Sequence, residues 1–169
     1  MTTPSITPSA GIPAASPLTP QVEPAHVAPN RIFVQWQGAL RFDSGRRGGP
    51  VARIDGRSET GPSPVDTLLG ALATCAASDV VEILAKRRTP VTTLEIEVEG
   101  TRATSIPRRL THVALHFRIT GEGIEQAQAE RAIDLAITKY CSVRDSLDPT
   151  IPIEWTLALS DEPRLRTSG

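Results

Sequence analysis

An α+β fold is what this 169-residue chain predicts, on three observations. Segments 92–100, 111–120 and 153–159 alternate apolar with polar residues, the period of a half-buried strand. Two longer segments, 63–88 and 125–147, repeat their apolar residues at helical spacing instead. Strands and helices come in runs and not in strict alternation, which favours antiparallel sheet with segregated helices. The length suits one domain with a sizeable core and is short for two.

In chain order, residues 1–29 are mostly Pro, Ser, Thr and Ala, and hold seven of the 15 prolines. Such a segment buries too little apolar surface to offset the entropy of ordering it, so it is expected to be a flexible extension. The domain is placed at 30–160, and 161–169 is read as a flexible tail. "RIFVQWQGALRFD" (31–43) is rich in β-branched and aromatic residues, with Gly38 as a turn or bulge. "GRRGGP" (45–50) is a loop by composition, and "VARID" (51–55) a short third strand. Ser63 as N-cap with Pro64 in the first turn opens a long helix that runs to about Arg88 before Pro90.

Next, "TTLEIEVEG" (92–100) puts Leu94, Ile96 and Val98 on one face and three glutamates on the other. "THVALHFRIT" (111–120) does the same with Val113, Leu115, Phe117 and Ile119 inward. "EQAQAERAIDLAITKYCSVRDSL" (125–147) reads as one continuous second helix. A last strand, 153–159, buries Ile153, Trp155, Leu157 and Leu159. There is no internal repeat.

The first helix carries only a narrow polar stripe: Thr67, Thr74, Ser78 and Glu82. Val65, Leu68, Leu69, Leu72, Ala76, Val80, Val81, Ile83 and Leu84 occupy most of the rest. A helix apolar almost all round must be covered almost all round, and one small sheet covers one side. A second copy of the chain is the simplest further cover, so an obligate homodimer with this helix at its centre is expected. The alternative is cover by the second helix within a monomer.

Composition excludes several classes. A formal net charge of -1 gives no basic footprint for nucleic acid. By this reading no apolar run approaches the roughly 20 residues that span a bilayer, so no membrane is expected. The first basic residue is Arg31, so neither a secretory nor a transit signal is expected. Two cysteines without export signals suit a reducing, cytoplasmic compartment.

Candidate chemistry narrows to those cysteines. The chain has no C-x-x-C, no zinc-spaced His/Cys cluster and no H-E-x-x-H, so no metal site or bound cofactor is expected. His112 and His116 share the solvated face of a strand. "GRRGGP" matches neither a P-loop nor a dinucleotide fingerprint, and no nucleophile elbow is present. Cys75 and Cys141 remain: two packed thiols, or an attacking and a resolving thiol. Cys75 lies about three turns into its helix, too deep for the helix dipole, so a thiolate there needs a cation from elsewhere.

The stretches "GPSPVDTLLGALATCAASDVVEILAKRR", "PRRLTHVALHFRITG" and "RAIDLAITKYCSV" resemble the OsmC/Ohr family of osmotically inducible and organic hydroperoxide resistance proteins. The likeness spans about 31–159, and "KYCSV" is similar to the OsmC-like branch more than to the hydroperoxide reductases. The resemblance implies an intertwined homodimer with long central helices, and thiol peroxidase chemistry against organic hydroperoxides. It implies Cys75 as the peroxidatic cysteine, Cys141 as the resolving one, and Arg41 as the activating arginine, with Arg46 and Arg47 close by in the loop. An external dithiol is the expected reductant. The hydroperoxide reductases place a glutamate after the helix-opening proline, where it orients the arginine; here Val65 stands there and Asp66 follows. Two other functions compete. One is a module that holds a small lipophilic ligand at the dimer interface without turnover. The other is transfer or hydrolysis with Cys75 as covalent nucleophile, which needs a general base.

Overall fold

The computed structural model describes residues 27–160. Apart from residues 27–29, which carry no regular structure, the expected extension and the expected tail lie outside the described residues. Three short strands come first: β1 (Phe33–Trp36), β2 (Arg41–Gly45) and β3 (Val51–Asp55) form an antiparallel meander in that order. The run 31–43 is thus two strands, with the reversal at Gly38, where a turn or bulge is expected. Gly38 at φ 88 and Ala39 at φ 48 reverse the chain, and Arg41 N–H donates to the Gly38 carbonyl at 3.1 Å. Trp36 pairs with Phe42 and Phe42 with Ile54, so one face of this sheet is apolar. Trp36 and Val34 are nonetheless exposed.

Asp55 ends β3 as the largest buried polar side chain. Its carboxylate accepts the Arg57 and Thr60 backbone N–H groups and the Thr60 hydroxyl, and so folds the 55–60 loop around itself. Those bonds, the Arg57 N–H foremost, hold its pKa below the ordinary carboxylate value.

The loop delivers the chain to α1 (Pro64–Lys86), which starts where the sequence indicates. The Ser63 hydroxyl accepts the Asp66 N–H and the Asp66 carboxylate accepts the Ser63 N–H, a closed capping box. The helix ends at the Arg87 cap, close to the expected Arg88. By length and composition α1 is apolar enough to cross a membrane, with mean hydropathy 1.7, contrary to the expectation that no run reaches that length. One face of it is packed as a core helix is.

β4 (Thr93–Arg102), β5 (Leu110–Thr120) and β6 (Ile153–Ser160) form the second sheet. β4 and β5 are antiparallel, as expected, but β6 lies parallel to β5, so this sheet is mixed. The reason is the intervening helical segment, which crosses over the sheet and returns the chain in the same direction. Val113, Leu115, Phe117 and Ile119 point to the helices, as their alternation predicts. α1 contributes Ala73, Ala76, Val80 and Leu84, and α2 (Gln126–Leu135) contributes Ala129, Ala132 and Ile133. The opposite face is polar: Arg118 bridges Glu95 and Glu97, and His112 stands beside Glu154.

The second helix departs from expectation. α2 gives way to a π turn over Ala136–Tyr140, Cys141 is extended, and a single further turn, α3 (Ser142–Asp145), follows. Hydrophobic spacing persists through the break, which is why 125–147 reads as one helix.

Two outcomes check this architecture. Phe117, fully buried at the centre of the core, should cost about 3–5 kcal/mol when replaced by Ala, read from urea unfolding. Asp55 has a depressed folded pKa, so its contribution is full above the unfolded carboxylate pKa and is lost as pH falls through the folded one. Asp55→Asn should therefore flatten the acid side of the stability–pH profile as well as lower the plateau.

Candidate functional site

Cys75 and Cys141 meet. Cys75 comes from the third turn of α1 and Cys141 from the break after the π turn, and both join one apolar cluster. Leu72, Leu110, Val113 and Ile151 form its buried part, with Val65, Leu69, Val143 and Leu147 around the edge. Cys75 packs against the cluster that buries Cys141. Both cysteines are free.

The backbone explains how Cys141 reaches this position. Its N–H donates to the Ala136 carbonyl at 2.9 Å, an i to i−5 bond that defines the π turn. Cys141 then leaves helical geometry at φ -70, ψ 97, and its sulfur accepts the Arg144 N–H at 3.3 Å. A thiol here does the work that Ser or Asp does at other helix starts. On its other side the Cys141 S–H points to the Leu72 carbonyl at 4.0 Å. Close approach of α1 to β4 is secured by Gly100: a Cβ there would stand 2.8 Å from Leu69 and 2.9 Å from Leu110, both members of the thiol cluster.

The two thiols differ. Cys141 is only 3% exposed, whereas Cys75 is half-buried. Burial pushes the Cys141 thiol above the ordinary cysteine value, the Arg144 N–H works against that, and the neighbouring Cys75 raises it further. Cys141 is accordingly a protonated thiol at neutral pH.

Arg41 is not brought to them within one chain. It opens β2, paired in register with Asp55, and its guanidinium forms no ion pair or hydrogen bond with another described residue. Val65 borders the thiol cluster, where an acid would face apolar neighbours. Asp66 is committed to the capping box and does not replace it.

Spacing alone did not single out Arg144, Tyr140 or the π turn. The one signal was the run Tyr140–Cys141–Ser142–Val143 itself. A cavity of about 650 Å³ opens beside Cys141, lined by Lys139, Tyr140, Arg144 and Ile151 among others. No group of three or more metal-ligating side chains occurs among the described residues.

Comparison with known proteins identifies the family. The family model described as OsmC-like protein matches residues 56–156. Protein YhfA of Escherichia coli K12 is 38% identical over 121 residues, covering 71% of this chain and 90% of YhfA. An OsmC-like protein from Mycoplasma pneumoniae shares the fold at TM-score 0.66 and 18% identity, over 76% of this chain and 95% of that one. An organic hydroperoxide resistance protein OsmC from Legionella pneumophila does so at TM-score 0.58 and 15% identity, over 78% and 98%. The last two likenesses are of fold. The chain belongs to the OsmC-like family.

Unequal burial of the thiols predicts unequal reactivity. Iodoacetamide at neutral pH should label Cys75 first, by peptide mapping. In Cys75→Ser, labelling of Cys141 should stay slow and rise only above the pH at which an ordinary cysteine ionises.

Proposed function

We propose that this OsmC-like protein reduces organic hydroperoxides, with Cys75 attacking and Cys141 resolving. The observation that carries the reading is the contact between two free thiols supplied by separate helices inside an apolar cluster. Peroxide-related roles are named for some proteins of this fold, the Legionella pneumophila protein among them.

The chemistry divides as the burial does. The Cys75 thiolate attacks one peroxide oxygen, the O–O bond breaks, and the alkoxide takes a proton to leave as alcohol. Cys75 is then a sulfenic acid. Cys141 loses its proton as its sulfur attacks that of Cys75; hydroxide leaves as water, and a disulfide closes. An external dithiol returns both thiols, which calls for a reducing compartment and makes the cytoplasm the expected setting.

A homodimer belongs to the same proposal. Leu68 and Val81 on α1, and Val34, Trp36 and Leu40 on the first sheet, are exposed apolar side chains that a second copy would cover. Assembly would also offer Arg41 a route to a thiol pair, where a guanidinium stabilises thiolate and polarises the peroxide. A second reading, a lipophilic ligand held without turnover, is favoured by Val65 in place of a carboxylate and by the occupied state of Asp66.

One equivalent of cumene hydroperoxide should lower the intact mass of the reduced protein by two hydrogens. Cys75→Ser should abolish the change, and Cys141→Ser should leave a sulfenic acid that dimedone traps. An unchanged mass with both thiols free would transfer the case to the ligand-binding reading. For assembly, Val81→Asp should weaken self-association in sedimentation by roughly 10-fold or more, as a charge at an interface centre does.

A further inference from the structure

The cavity of about 650 Å³ beside Cys141 has no part in the proposed chemistry, since Cys75 is absent from its wall. Its volume is that of a small-molecule site. Two cations line it, Lys139 and Arg144. The Lys139 ammonium lies 5.3 Å from the Tyr140 ring centroid, and an Arg144 guanidinium nitrogen donates to the Ile151 carbonyl at 3.5 Å. Tyr140 and Ile151 are themselves wall residues, so both contacts keep the charges beside the cavity. Neither cation forms an ion pair with another described residue. Asp145 is the one carboxylate in the wall, which leaves one positive charge in excess in a chain of formal net charge -1. The Tyr140 and Ser142 hydroxyls, also in the wall, have no partner among the described residues. Ile137, Pro149 and Pro152 add apolar surface. None of the exposed apolar residues assigned to self-association lines this cavity.

We infer that this cavity binds an organic carboxylate with a compact apolar body, held by Lys139 and Arg144. A planar guanidinium matches a carboxylate in shape and can hold it with two parallel hydrogen bonds. Lys139 adds a point charge, and the two free hydroxyls add donors. One positive charge in excess suits a monoanion, and Asp145 in the same wall works against a dianion such as phosphate. The isoleucines, the prolines and the Tyr140 ring ask for an apolar body, since a small inorganic anion would leave that surface wet. The site owes its shape to the π turn over Ala136–Tyr140, which carries Ile137, Lys139 and Tyr140 into one wall. Such turns occur often at functional sites. Neither thiol reacts in this inference, so it stands apart from the proposed function.

The test uses the full chain, reduced, and three probes of one shape: 1-naphthoate, 1-naphthamide and 1-naphthylmethylammonium. In calorimetric titration 1-naphthoate should bind about 10-fold more tightly than the amide, with the cation weakest. Raising NaCl from about 0.05 to about 0.5 M should narrow that gap. Lys139→Gln with Arg144→Gln should bring 1-naphthoate down to the affinity of the amide, while Arg144→Lys should keep part of the preference. Thermal melts check that the variants fold; if the double variant does not, Lys139→Gln alone, at an exposed side chain, should show a partial loss. Nuclear Overhauser contacts from the naphthalene ring should fall on Ile151 and Tyr140. No binding of 1-naphthoate at millimolar concentration, equal affinity for the three probes, or a preference that survives the double variant would each overturn the inference. Ring contacts on Val34 and Trp36 instead, or competition by inorganic phosphate at equal concentration, would overturn it as well. Each of these outcomes leaves the peroxide reading as it was, because that reading is decided by the mass change with cumene hydroperoxide.

Discussion

The bond from the Cys141 N–H to the Ala136 carbonyl lengthens one helical turn by a residue, and the placement of the thiol pair depends on it. In an unbroken α-helix each residue advances the side chain by about 100°, so one inserted residue turns everything after it to a new direction. Here the insertion falls just before Cys141, and the extended backbone at that residue completes the turn toward α1. The helix loses regular bonds at the break. Cys141 restores two of them, by accepting the Arg144 N–H through its sulfur and the Asp145 N–H through its carbonyl. The residue that defines the site thus also stabilises the local departure that exposes it to Cys75.

A second constraint comes from α1. Its buried residues Leu72, Ala73, Ala76, Val80 and Leu84 form one face, and that face alone is satisfied by the sheet and α2. Alanines on both helices at their contact keep the approach close, and Gly100 removes the last obstacle where α1 crosses β4. Cys75 sits at the boundary between this packed face and the exposed one. That boundary position gives it partial access, whereas Cys141 is wholly enclosed.

Much of this was legible in residues. The capping box at Ser63 and Asp66, the alternation of Leu94, Ile96 and Val98, and the inward set on β5 are local patterns tied to local geometry. The excess apolar surface of α1 was legible too, since the exposed Leu68 and Val81 are those a single sheet could not reach. Two features were not. The parallel seat of β6 depends on where the crossover ends, a tertiary matter. The π turn leaves Ala136, Ile137 and Cys141 at spacings that a continuous helix also satisfies. The cysteines were visible as candidates, but their contact was not, because no spacing rule relates residues on two separate helices.

What remains to be supplied is a positive charge for Cys75. A thiolate needs a cation, a helix start or a metal, and Cys75 has no helix start, lying deep in α1. The cluster around the thiols is built of apolar side chains, and none of them supplies a charge. Arg144 is close in sequence to Cys141 but faces the cavity whose wall excludes Cys75. Among the described residues the Arg41 guanidinium has no partner, and Val34 and Trp36 on the same sheet are exposed. The two needs are complementary. In the proposed dimer a second copy would cover Val34 and Trp36 and would carry an arginine toward a thiol, so activation and assembly would be one step. On that account a monomeric variant would keep its fold and its thiol contact but lose the charge that makes Cys75 reactive.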